Sequence, residues 1–171
     1  IKLWEIDDNL NFLKEYTLNF GDSVNNLPQS FVNVNDSLIY FLSASFRPQY
    51  SNNDFSLVKL NLYNGNVNTY FPPQHAFRIP SNFTLDTINQ HLRVLCVGSS
   101  LKSKGIVRTF SFDMDLNYIS EFEPDINFSS ITCRLSNYYN NSYIISGNIL
   151  KPSGVISLHN FVFNNNNELI D

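Results

Sequence analysis

The sequence predicts an all-β fold of antiparallel four-stranded repeats, with a β-sandwich as the alternative architecture. Three observations carry this. Runs rich in β-branched and aromatic residues are short and recur along the whole chain. Asn, Asp, Gly, Ser and Pro separate them, the residues that turns demand. A strand–polar turn–strand pattern then returns about every 50 residues.

In chain order, Leu10–Leu18 is the best helical candidate, but it lacks an apolar stripe of period 3.6 and is rich in Asn, Thr and aromatics, so it reads as strand. Phe31–Val34, Ser37–Phe46 and Phe55–Tyr63 follow as strands, the last running into an Asn64-Gly65 hairpin signal. Leu92–Val97 and Ile106–Phe112 come next, then Tyr143–Ile145 and Val155–Phe163.

The repeat is clearest where Ile6-Asp7-Asp8-Asn9-Leu10-Asn11-Phe12 aligns with Phe112-Asp113-Met114-Asp115-Leu116-Asn117-Tyr118, and the match continues to Tyr16 and Phe122. The offset is 112 − 6 = 106 residues, two units of 53. Further copies fall at Leu60–Val67 and Phe161–Leu169. Between them, Phe31–Phe46, Phe83–Ser99 and Ile131–Gly147 each give a strand, a turn and a more apolar strand. Each unit therefore reads as four strands, A to D.

Such units resemble the blades of the β-propeller superfamily, and Tyr143–Gly147 followed by Val155–Phe163 is similar to the inner hairpin of WD-type blades. The Gly-His, Trp-Asp and Gly-Gly marks of particular subfamilies are absent. The resemblance implies the end of a blade at 1–22, blades at 23–72 and 73–125, and an incomplete blade at 126–171, a piece of a longer propeller.

Composition bounds the function. Net charge is −4 and pI near 5.2, against a nucleic-acid partner. No stretch of 18 apolar residues is present to insert in a membrane as a helix. Asn numbers 26 of 171; AT-rich codons would supply Asn, Phe and Tyr but not so few Lys, which number six. Aromatics at 15% place the chain among globular proteins. The first residues show no charged stretch leading into an apolar one, so no signal peptide is expected, and only the low charge leans towards an extracellular setting.

Candidate sites are sparse. Asp113, Asp115, Asn117 and Glu121 have the alternate spacing of a calcium loop, but Tyr118 stands where such a loop needs Gly, so a plain turn is expected and no metal. Ser99-Ser100-Leu101-Lys102 fits a Ser-x-x-Lys pattern without its partner motifs. His75, His91 and His159 are scattered, and no catalytic constellation or cofactor motif is present. Cys96 and Cys133 fall on strands of successive units, open to a disulfide or to two buried thiols. The sequons at Asn35, Asn82, Asn127 and Asn140 are no more than 26 Asn and 26 Ser plus Thr yield by chance.

One charge pattern remains. The B–C loops carry Arg47, Lys102, Lys104 and Lys151 against Asp54, and the D–A loop at 71–82 adds His75 and Arg78. The opposite turns carry Asp7, Asp8, Asp36, Asp113, Asp115 and Glu168 without Lys or Arg. The expectation is a non-enzymatic interaction module whose basic loop face meets an acidic protein partner. The alternatives are part of a glycosidase-like propeller enzyme, or a lectin-like surface using Tyr, Phe and Asn for sugar.

Overall fold

A computed structural model describes residues 2–18, 25–47, 52–72, 79–99, 105–126, 133–137, 142–150 and 153–171. Among them thirteen strands form four antiparallel sheets, each a meander of sequence neighbours. Sheet I holds β1 (Lys2–Ile6) and β2 (Phe12–Thr17). Sheet II holds β3 (Asn25–Asn35), β4 (Leu38–Arg47), β5 (Asn52–Asn61) and β6 (Val67–Tyr70). Sheet III holds β7 (Ile79–Asp86), β8 (His91–Ser99), β9 (Gly105–Asp113) and β10 (Tyr118–Phe122). Sheet IV holds β11 (Arg134–Asn137), β12 (Tyr143–Leu150) and β13 (Ile156–Phe163), extended by a bridge from Phe163 to Leu169.

The protein is thus all-β with repeated antiparallel sheets, and Leu10–Leu18 contributes a strand, β2. Hairpins make this topology the cheapest one locally, because each strand pairs with the next through a short turn.

Side-chain alternation stacks the sheets in chain order. On β5, Phe55 and Leu57 join the core shared with sheet III, while Val58 and Leu60 join Tyr16 and Leu18 of sheet I. On β8, Leu92, Val94 and Cys96 face sheet II, whereas Leu95 and Val97 meet Leu135, Tyr143 and Ile145 of sheet IV. A strand buried on both faces reads as a continuous apolar run, which is why Leu92–Val97 is apolar at almost every position. Aromatic rings fill the II–III layer: Phe55 lies 5.4 Å from Phe110, and Tyr70 lies 4.7 Å from Phe112, edge to face.

The first strands of sheets II and III share a bulge. Pro28-Gln29-Ser30-Phe31 and Pro80-Ser81-Asn82-Phe83 each slip one residue after the proline, which has no N–H to give the ladder. In sheet III this bulge ties the next layer down. Asn82 donates Nδ2 to the Leu135 carbonyl at 2.7 Å and accepts from the Leu135 N–H at 2.9 Å. Ser81 Oγ donates to the Cys133 carbonyl, and Asn137 Nδ2 to that of Leu85.

Candidate functional site

The hairpin ends 47–52, 99–105 and 150–156 lie opposite the turn ends of their sheets. The basic residues expected there fall outside the described residues: His75, Arg78, Lys102, Lys104 and Lys151 entirely, and Arg47, which closes β4, in its side chain. The sequons at Asn127 and Asn140 fall outside them too. Asn82 has both ends of its amide committed to Leu135.

At the opposite, acidic end three C–D turns use one five-residue lock, while the C–D turn of sheet II has Asn61 Oδ1 accepting from the Tyr63 and Asn64 N–H groups instead. Asp7 Oδ1 accepts from the Asn9 and Asn11 N–H groups at 2.9 and 2.8 Å, and Oδ2 accepts from Asn11 Nδ2 at 2.9 Å. Asp113 does the same with Asp115 and Asn117, each bond at 2.8 Å. Asn164 Oδ1 accepts from the Asn166 and Glu168 N–H groups, but here the side-chain bond is reversed, with Asn164 Nδ2 donating to Glu168 at 2.7 Å. The fourth residue of each lock, Leu10, Leu116 and Asn167, sits in the left-handed region at φ 65°, 67° and 65°.

Both carboxylate oxygens of Asp7 and Asp113 are therefore taken by protein donors. Bonds from Asn11 and from Asn117, first of all their side-chain amides, hold the two carboxyls below the usual aspartate value. Within the alternate-oxygen spacing at 113–117, Asp113 Oδ1 binds backbone N–H groups of its own loop.

The second lock is also seated on sheet II. Tyr40 donates its hydroxyl to the Met114 carbonyl at 2.6 Å, Lys59 Nζ reaches Asp115 at 2.6 Å, and Leu116 is buried in the II–III core. Burial, with Asp115 and Asp113 nearby, pushes the Tyr40 hydroxyl up to about 12.

Two further groups stand out. The buried Arg93 guanidinium lies 4.0 Å from the centre of the Tyr143 ring, a desolvated cation–π contact between sheets III and IV. Burial lowers the Arg93 pKa, opposed by Tyr143 and Asp86, and raises that of Tyr143 to about 12. Cys96 and Cys133 are buried thiols in the II–III and III–IV cores, and burial pushes Cys133 up to about 11. A thiol held so far from its thiolate is a poor nucleophile.

The arrangement best able to receive a ligand lies between sheets I and II. There β2 covers β5, with Tyr16 and Leu18 clustered with Val58 and Leu60, and Leu3 of β1 and Phe41 of β4 pack against the same cluster. The cover stops at β1. Beyond it two adjoining cavities, of about 190 and 240 Å³, share Leu3, Phe31 and Phe41 as lining. Leu18 and Pro28 extend one, and Trp4, Tyr16 and Ile39 the other. Phe31 and Leu27 on β3 are each 67% exposed.

Sequence reasoning missed this groove because its residues come from four strands whose packing order the sequence does not state. The available signal was Trp4, the chain's only tryptophan, on a short strand beside Lys2 and Glu5. Comparison with protein-family models, with curated proteins and with solved structures finds no match for this chain.

Proposed function

We propose that the chain is a segment of a β-propeller acting as a non-enzymatic protein-interaction module, with its B–C hairpin face presented to an acidic partner. The observation that carries the reading is the stack of sequential meander sheets, in which one lock recurs at the C–D turns of three of them. Blade-like repeats of this kind put all C–D turns at one end and all B–C hairpins at the other. The outward face of sheet IV, with Ile156 and Leu158 exposed, is of the sort a further blade would cover.

The charge argument supports the choice of face. At the turn end Asp7 and Asp113 are spent on backbone N–H groups and Asp115 on Lys59, so the role of these three is structural. The B–C hairpins carry Arg47, Lys102, Lys104 and Lys151, joined by His75 and Arg78 from the D–A side. Loops at one end of a rigid scaffold are where binding residues are generally found, and a face of one sign accelerates encounter with the opposite sign.

A fluorescently labelled peptide rich in Asp and Glu, titrated at low salt, tests the reading. Lys102→Glu with Lys104→Glu should weaken binding about tenfold or more, and added salt should weaken it in the parent protein. No binding by the parent, or equal binding by the double variant, overturns it.

A further inference from the structure

We infer that a chloride ion, or a halide of similar size, binds between sheets III and IV at the edge of the Arg93 guanidinium, with the Ser111 hydroxyl as its second donor. This does not depend on the propeller reading, and it makes no use of the basic loops.

Arg93 is the only buried cation among the described residues. It is 4% exposed, and its Nε is buried without a hydrogen-bond partner. A guanidinium keeps its proton in proteins, so the charge is not relieved by ionisation. Burying a charge is unfavourable unless an opposite charge and hydrogen bonds compensate it.

The acids of the chain do not supply that compensation at contact distance. None of the four ion pairs among the described residues includes Arg93. Asp86 acts on Arg93 only through its field. Its own oxygens accept from the Ile88 and Asn89 N–H groups, each at 3.0 Å, and from Asn89 Nδ2 at 2.8 Å. Of the fifteen Asp and Glu residues, Asp22 alone falls outside the described ones, in the segment that joins β2 of sheet I to β3 of sheet II. The undescribed residues 100–104, 127–132, 138–141 and 151–152 contain no Asp or Glu. The counter-ion therefore comes from solution.

The surroundings fix where it sits. Tyr143 covers one face of the guanidinium, with 4.0 Å from the central carbon to the ring centre. The N–H groups point outward in the guanidinium plane, so an anion meets the edge and leaves the ring contact intact. On β8, Arg93 pairs with Thr84 of β7 and with Ser111 of β9, which puts both hydroxyls on its own face of sheet III, one on each side. Ser111 is buried and Thr84 half-buried. The Tyr143 hydroxyl is already committed, since it donates to Asn167 Oδ1 at 2.7 Å.

Charge and access select the ion. One guanidinium with the Asp86 carboxylate in its field balances one negative charge, not the two of sulfate or phosphate. A cation 4% exposed gives the side chain of a partner protein no approach, whereas a single-atom ion needs little room.

The test is chloride binding to the full chain, read by the broadening of the chlorine NMR line as chloride replaces gluconate at constant ionic strength. The expected result is saturable broadening that bromide competes away. The melting temperature should rise with chloride and level off, as binding to the folded state requires. Arg93→Met keeps an unbranched apolar stem and removes the charge, so the saturable broadening should vanish. Ser111→Ala should weaken chloride about tenfold, the worth of one hydrogen bond to a charged group. Should Arg93→Met fail to fold, Ser111→Ala decides alone. The Lys102→Glu, Lys104→Glu double variant should bind chloride as the parent does.

No saturable broadening in the parent overturns the inference. So does binding that is unchanged in a folded Arg93→Met or in Ser111→Ala, or binding lost in the double lysine variant, which would assign the ion to the loops. Because the acidic-peptide titration reads those loops, either reading can fail alone.

Discussion

The hairpin β1–β2 and the hairpin β9–β10 are written with one motif and closed by one lock, yet their side chains end in different surroundings. Phe112 is fully buried between sheets III and II, whereas its counterpart Ile6 is 53% exposed. Leu116 is packed into the same core, and Leu10, with the same backbone angle, is 79% exposed. The Asp113 lock is held by Tyr40 and Lys59 of the preceding sheet; sheet I has no preceding sheet among the described residues. Local sequence is enough to shape the turn, and the neighbouring layer decides what the turn is worth.

The sharpest way to break that comparison is truncation at the equivalent pair. Phe112→Ala should cost about 3–5 kcal/mol in denaturant unfolding, as large-to-small changes in sealed cores do. Ile6→Ala should stay within about 0.5 kcal/mol, as exposed positions do. Similar losses at both sites would mean that sheets II and III do not pack as described.

Tyr40→Phe comes next. It keeps the ring and removes the donor to Met114, leaving a carbonyl short of a partner at a cost of about 1–3 kcal/mol. Glycine at the left-handed position then separates backbone from packing. Leu10→Gly relieves a strained φ at an exposed site and should stabilise by about 0.5 kcal/mol. Leu116→Gly receives the same relief but gives up a buried side chain of about 1.5–3 kcal/mol, so its net sign is destabilising. Equal signs in thermal melts would remove the distinction between the hairpins.

The smallest effect is shared by both. Asp7 and Asp113 have pKa values held below the usual 3.8, so their contribution is present above that value and is lost as pH falls through the lowered one. Melting temperature should drop on acidification below about pH 4, and Asp113→Asn should flatten the drop, since an amide oxygen still accepts the backbone bonds, as Asn164 does.

Much of this fold was legible in the sequence because turns are local. Asn-Gly at 64–65, the Asp locks and the Asn164 turn each announce a chain reversal within five residues, and the repeat between them predicted the strand grouping. Less legible were β6 and β11, where Val67 and Leu135 are the sole aliphatic residues of four. Also hidden was the start of β7 at Ile79, four residues before Phe83, because Pro80 and the bulge interrupt the alternation. Arg93 was invisible as a core residue, since nothing in Leu92-Arg93-Val94 tells of the Tyr143 ring across the next layer. The groove was invisible for a related reason. Its apolar residues look like any strand's inward face, and the sequence does not say which strands lie over them.

The reversed bond in the third lock carries a consequence for the charge of the turn end. Asp7 and Asp113 place the negative group first and the amide fifth; Asn164 and Glu168 exchange them and keep the same pattern of backbone bonds. The lock is indifferent to which end bears the charge. A designer could move each negative group to the other side of its loop by exchanging one pair of side chains, redrawing the electrostatic map of that end while every strand stays in register.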